Sequence, residues 1–215
     1  MKSFLGRFFL AVTLFFVIVP VHSFEVSKNS QRIPLDGQLS YFEDQTAALS
    51  FDEVVALYEK GEMAKNRNGI LNFGFSDSVF WVRTSFKFSQ ALSSDENWIV
   101  SLDYAPLEKV ELFILDGGEV QHIVSGTSMP FDARPVLHRN LLYPIRNYGE
   151  TEYEIWVRVE SDSSIQIPLS LWTADKYFEH ETLGSYGWGI LGIGTTLMAY
   201  SGKDLPALEE LSMEH

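Results

Sequence analysis

From residue 79 the chain alternates. Phe80, Val82, Thr84, Phe86 and Phe88 fall on one face, and Val79, Trp81, Arg83, Ser85 and Lys87 on the other. A period of two predicts a strand over Val79 to Phe88. Strands are also predicted over Trp98 to Tyr104, Val110 to Leu115, Val120 to Val124, Leu141 to Ile145, Tyr153 to Glu160 and Ile165 to Leu171. Asp116-Gly117-Gly118 sits between two of them as a hairpin turn. Upstream the period changes. Phe51, Val54, Val55 and Tyr58 form a helical stripe, opened by the capping box Ser50/Glu53 and closed at Gly61. Residues 24–49 read as irregular, with Ile33-Pro34-Leu35 as an edge-strand candidate. Seven or eight strands with one short N-terminal helix predict a mainly β fold, an antiparallel β-sandwich. No period of 20–50 residues repeats, which excludes a solenoid.

Two apolar stretches flank this body. Residues 1–23 read as a signal peptide: Lys2 and Arg7, an apolar run from Phe8 to Val19, a break at Pro20 and small Ser23 before Phe24. The alternative is an uncleaved anchor. Residues 183–200 carry no charge and read as a transmembrane helix at the lower length limit for a bilayer span. Tyr186, Trp188 and Tyr200 suit its interfaces, and its glycines suit close helix packing. The alternative is a glycine-rich loop or last strand. Residues 201–215 form a short acidic tail. The expected organisation is therefore signal peptide 1–23, extracytoplasmic sandwich 24–182, membrane helix 183–200 and tail 201–215. The expected address is a bacterial inner membrane with the main domain in the periplasm.

Charge narrows the partners. The chain of 215 residues has a net charge of −13, and removing Lys2 and Arg7 with the leader leaves −15. Nucleic acid is excluded as a partner, because phosphate binding needs a basic surface. Docking on anionic lipid is disfavoured for the same reason. The absence of cysteine removes disulfides and thiolate chemistry, which fits a bacterial envelope domain.

The candidate chemistry is sparse. Trp81-Val82-Arg83 and Trp156-Val157-Arg158 repeat one tripeptide on two predicted strands. In each, Trp and Arg share a face. A flat ring beside a forked donor suits a sugar or a carboxylate. The competing reading is that both rings are core and both guanidinium groups pair with acids. The connection Ser125 to Asn140 is the longest, and it gathers Asp132, Arg134, His138 and Arg139 in eight residues. It is either a ligand-gripping loop or a solvated connector. No nucleophile elbow, phosphate loop, metal-ligand spacing or calcium loop is present. The reading is a non-enzyme with no metal and no cofactor, although a carboxylate pair for sugar hydrolysis on the same fold stays open. A protein–protein module of the envelope is the other alternative.

The order of features resembles a known family. Asn72-Phe73-Gly74-Phe75-Ser76-Asp77-Ser78-Val79-Phe80-Trp81-Val82-Arg83 follows the short helix. Leu107-Glu108-Lys109-Val110-Glu111-Leu112-Phe113, Gly126 and Tyr153-Glu154-Ile155-Trp156-Val157-Arg158-Val159-Glu160-Ser161 come next, and Ile167-Pro168-Leu169 leads to a Tyr-Gly entry into the last apolar segment. Over about residues 45–195 this is similar to the second type of extracytoplasmic module in bacterial seven-transmembrane receptors with diverse intracellular signalling modules. The resemblance implies a jelly-roll sensor for a small-molecule or carbohydrate ligand, followed in relatives by seven helices and a cytoplasmic signalling domain. Here the pattern stops after Tyr200, as in a truncated, frameshifted or naturally short member.

Overall fold

The computed structural model describes residues 23–182 apart from 28–29, 90–91, 93–95 and 147–151. Both apolar ends, residues 1–22 and 183–200, and the tail 201–215 lie outside the described residues, and with them the expected signal peptide and membrane helix. Among the described residues no helix is long and apolar enough to cross a membrane. The strands are β1 (Phe24–Val26), β2 (Arg32–Pro34), β3 (Ser40–Asp44), β4 (Ala64–Lys65), β5 (Leu71–Gly74), β6 (Val79–Phe88), β7 (Asn97–Leu102), β8 (Lys109–Asp116), β9 (Glu119–Ser125), β10 (Leu141–Arg146), β11 (Glu152–Glu160), β12 (Ile165–Ile167) and β13 (Leu169–Thr173). Helix α1 spans Phe51–Glu59, and residues 174–182 are helical.

Two sheets face each other. The larger runs β4-β3-β6-β11-β8-β9, with β1 beside the end of β6, and the smaller runs β10-β7-β13-β2. Strands β5 and β12 form a separate pair. All pairings are antiparallel except β1 with β6. The alternation along β6 now has a cause. Phe80, Val82, Phe86 and Phe88 point between the sheets and meet Trp98, Val100, Tyr143 and Leu171 from the other side. The antiparallel β-sandwich is the architecture that the periodicity predicts.

Both outer faces are also covered in part, which half-polar alternation does not foretell. Helix α1 lies on the outer face of the larger sheet, where Val54 packs with Val79, Trp81, Phe113 and Trp156. Its capping box forms as expected: Glu53 N–H donates to Ser50 Oγ at 3.4 Å and Ser50 N–H to Glu53 Oε2 at 2.8 Å. It ends in paired bonds from Gly61 N–H to Tyr58 O and Glu62 N–H to Leu57 O, with Gly61 at φ 76°. Only glycine takes that left-handed position without cost. On the smaller sheet, Ile99, Leu142 and Trp172 are covered by Tyr177 of the helical residues 174–182, with Val136 packed against them.

Two sequence expectations change. Residues 24–49 are not irregular throughout, since β1, β2 and β3 lie there. In β3, Tyr41 packs on the inner core and Phe42 on the α1 side. Apolar residues on both faces erase the period of two. The run Ile165 to Leu171 is two strands, because Pro168 has no N–H to donate and β12 and β13 join different sheets.

Candidate functional site

The two Trp-Val-Arg strands are direct neighbours. Trp156 pairs with Arg83 and Arg158 with Trp81 across β6 and β11, so all four side chains share the outer face. That face is closed. Trp81 and Trp156 are 1% and 0% exposed, and α1 lies over them. Phe51 approaches the Trp156 ring edge-on at 5.7 Å, as does Tyr58. Neither indole presents a face on which a sugar could stack. The arginines are engaged as well. Arg83 lies over the Tyr58 ring at 4.0 Å. Its Nε donates to Glu154 Oε2 at 3.3 Å, and Nη2 sits 3.0 Å from Oε1, an ion pair without hydrogen-bond alignment. Trp156 Nε1 donates to the same carboxylate at 3.1 Å. Arg158 bonds Glu111 and Glu160 at 3.0 and 2.9 Å. Burial pushes the Glu111 carboxyl up, but Lys109, Arg158 and His122 together outweigh it and hold the group below its ordinary range. The tripeptides thus rivet helix to sheet, the packing reading of the pair.

The loop after β9 is built and anchored. Gly126 has φ 116°, and a Cβ there would stand 2.2 Å from Glu108 O. This close approach lets Thr127 N–H donate to Leu107 O and Ser128 N–H to Glu108 O, both at 2.9 Å. Arg134 turns inward and donates from Nη1 to His138 O at 2.6 Å and Arg139 O at 2.8 Å, with its guanidinium 4.9 Å above Phe131. It ties the two ends of the turn together. Asp132 is exposed. His138 and Arg139 reach across to Glu181, at 3.5 and 2.9 Å. Asn140 donates to Asp103 Oδ1 at 3.2 Å and to Tyr177 Oη at 3.0 Å. Burial raises the Asp103 carboxyl above its ordinary range; bonds from Ser101 and Tyr177 and the charge of Arg32 pull against it. Burial likewise raises the Tyr177 hydroxyl. The loop and the helical residues 174–182 therefore form one joint.

A third place lies where the sequence drew no attention. An open cleft of about 390 Å³ sits between β4 and β5, with Tyr41, Lys65, Arg67, Asn68, Asn72 and Phe73 on its walls. Asn66 shapes it. Its side-chain amide donates to Asp36 O at 2.8 Å and Gly69 O at 2.6 Å, and its Oδ1 accepts from Asn68 N–H at 3.2 Å. Phe73 stacks on core Phe80 at 3.8 Å and meets Tyr41 at 5.4 Å. Lys65 and Arg67 are exposed, and neither has a carboxylate within ion-pair distance among the described residues. The signal in the sequence was Lys65-Asn66-Arg67-Asn68-Gly69, a basic and amide-rich run in an acidic chain. Among the described residues no group of three or more His, Asp or Glu is placed to hold a metal ion.

The family model described as 7TMR-DISM extracellular 2 matches residues 36–173, from the turn before β3 to the end of β13. The chain belongs to that family. This extracellular module is of the kind found in membrane receptors with intracellular signalling modules. No curated protein matches it. Several solved structures are faintly similar, two of which follow. One is a novel family GH115 4-O-methyl-alpha-glucuronidase, BtGH115A, with specificity for decorated arabinogalactans, at 12% identity and TM-score 0.32 over 66% of this chain. The other is CsCBM6-3 from Clostridium stercorarium in complex with cellobiose, at 13% identity and TM-score 0.26 over 63% of this chain and 94% of that one. The 7TMR-DISM chain spans only 17% of the glucuronidase. At these scores neither likeness bears on what it binds.

Proposed function

We propose that the chain is the periplasmic ligand-sensing module of a membrane receptor. Its ligand is a carbohydrate-like molecule with an acidic group, taken in the cleft between β4 and β5. The observation that carries this reading is the cleft itself. Its volume lies in the range of small-molecule sites. Tyr41 and Phe73 supply apolar ring surface, and the Asn68 and Asn72 amides supply donors and acceptors for hydroxyls. Lys65 and Arg67 supply the positive charge that a carboxylate needs, in a chain whose net charge is −13. The closed Trp-Val-Arg face leaves the cleft as the better place for a sugar.

Isothermal titration tests the proposal with neutral and uronic-acid oligosaccharides against the wild type, Arg67→Ala and Tyr41→Ala. The expected pattern is binding of an acidic glycan that falls tenfold or more in Arg67→Ala, with Tyr41→Ala weaker for acidic and neutral sugars alike. Equal binding by all three proteins would move the site elsewhere. No binding to any glycan would remove the carbohydrate reading.

A further inference from the structure

Asn68-Gly69 is the single Asn-Gly dipeptide of the chain, and Asn68 lines the β4–β5 cleft. Asparagine is among the chemically labile side chains. Its Cγ can close a five-membered ring with the main-chain nitrogen of the next residue. A side chain on that residue crowds the closure, and glycine has none.

The local structure leaves this pair free to react. Both residues are exposed. A Cβ on Gly69 would meet nothing within 4 Å, so the space beside its nitrogen is open. Among the described residues, neither the Asn68 side chain nor the Gly69 N–H has a hydrogen-bond partner. Arg67 precedes the pair and Lys65 stands on the same wall. Their positive charge favours loss of the Gly69 amide proton, which makes that nitrogen a nucleophile. The other described asparagines lack this combination. Asn66 is buried and its amide donates twice. Asn72 accepts from Gly74 N–H at 3.1 Å and precedes Phe73. Asn97 precedes Trp98 in β7. Asn140 donates to Asp103 and Tyr177 and precedes Leu141.

Asn66 gives the site a consequence. Its Oδ1 accepts from Asn68 N–H at 3.2 Å, and its amide donates to Gly69 O at 2.6 Å. One side chain therefore bridges the backbone from the nitrogen of residue 68 to the oxygen of residue 69. That is the span in which the ring would form.

We propose that Asn68-Gly69 is a self-modification site, where loss of ammonia and gain of water turn an amide of the cleft wall into a carboxylate. The Gly69 nitrogen attacks Asn68 Cγ, the new N–C bond closes a succinimide, and the Cγ–Nδ2 bond breaks. The side-chain nitrogen leaves as ammonia, carrying the proton that Gly69 gives up. Water then opens the ring at either carbonyl. Opening at Cγ gives aspartate. Opening at the main-chain carbonyl gives isoaspartate, whose backbone runs through Cβ and Cγ and is one atom longer. Either product sets a negative charge beside Lys65 and Arg67. Isoaspartate alone stretches the span that Asn66 bridges, so it releases that side chain and loosens the wall. The reaction needs no ligand and stands whatever the cleft binds.

The test incubates the full chain in mild detergent at mildly alkaline pH. Each asparagine is followed by peptic peptide mapping in acid, where ring closure stops. Conversion is read as a gain of one mass unit, and isoaspartate as methyl acceptance from an isoaspartyl methyltransferase. The expected result is conversion at Asn68 at least tenfold faster than at Asn72, Asn97 and Asn140, with both products present. Hydrogen exchange over residues 66–70 then compares the isolated isoaspartyl form with Asn68→Asp, which carries the charge on an ordinary backbone. The isoaspartyl form should exchange at least tenfold faster, and Asn68→Asp should match the unconverted chain. Conversion at Asn68 no faster than at the other three overturns the proposal. So does equal exchange in the isoaspartyl form and Asn68→Asp, because the longer backbone would then have no effect on the Asn66 bridge.

Discussion

Trp156→Ala is the sharpest probe of how the larger sheet is closed. The side chain is fully buried under α1. It meets Phe51 and Tyr58 edge-on at 5.7 Å each, and it donates to Glu154 at 3.1 Å. Truncation removes the ring from both aromatic contacts and leaves Arg83 and Glu154 beside a void. The sheet below cannot collapse into that void, because β11 is paired on both sides along its length. Large aromatic truncations at such sites cost about 3–5 kcal/mol, a large share of the roughly 5–15 kcal/mol that holds a domain folded. With a urea slope of about 2 kcal/mol per molar, the midpoint should fall by roughly 2 M. Unfolding of residues 23–182 is followed by far-ultraviolet circular dichroism, since the mutation removes a fluorophore. A loss under about 1 kcal/mol in a folded variant would mean that α1 does not pack on this ring, and the outer face would return as a candidate ligand surface.

Gly126→Ala should destabilise the domain by about 1–3 kcal/mol through backbone strain alone, because its φ of 116° and the 2.2 Å approach to Glu108 O leave no room for a Cβ; Gly37→Ala, with nothing within 4 Å, should stay within about 0.5 kcal/mol, and equal effects in urea unfolding would refute the argument. Asp103 has its folded pKa raised by burial from an unfolded value of 3.8, so the folded state binds its proton more tightly than the unfolded state does. Wild-type stability relative to Asp103→Asn should therefore rise as pH falls through the folded pKa toward 3.8 and stay lower above that window; a pH-independent difference between the two unfolding curves would count against it.

The inner half of the sandwich was legible because each of its strands obeys a single rule. Phe80, Val82 and Phe86 alternate with residues of the other face, and burial on one side of a pleated strand requires that pattern. Helix α1 was legible for the same local reason, since its capping box and Gly61 act within a few residues. β3 was not legible, because Tyr41 and Phe42 serve two different cores from one short strand. The Trp-Val-Arg pair shows the boundary most clearly. Its spacing fixed that Trp and Arg share a face. Whether that face met a ligand or a helix depended on where α1 came to rest, some 25 residues upstream of the first tripeptide.

The cleft follows the same division. Lys65, Arg67, Asn68 and Asn72 are an unremarked polar stretch until Asn66 folds it against Asp36 and Gly69 and brings Tyr41 beside Phe73. The sequence by itself determined the strand periods, the helix with its caps, the acidic balance, the uncharged segment after residue 182 and the family. All of these are local or compositional. The tertiary structure alone decided which aromatic rings are covered, which cations lack a carboxylate among the described residues, and that the loop after β9 is joined to the helical residues 174–182. Those outcomes depend on distant parts of the chain meeting at a few ångströms, and the order of residues along one segment does not encode that distance.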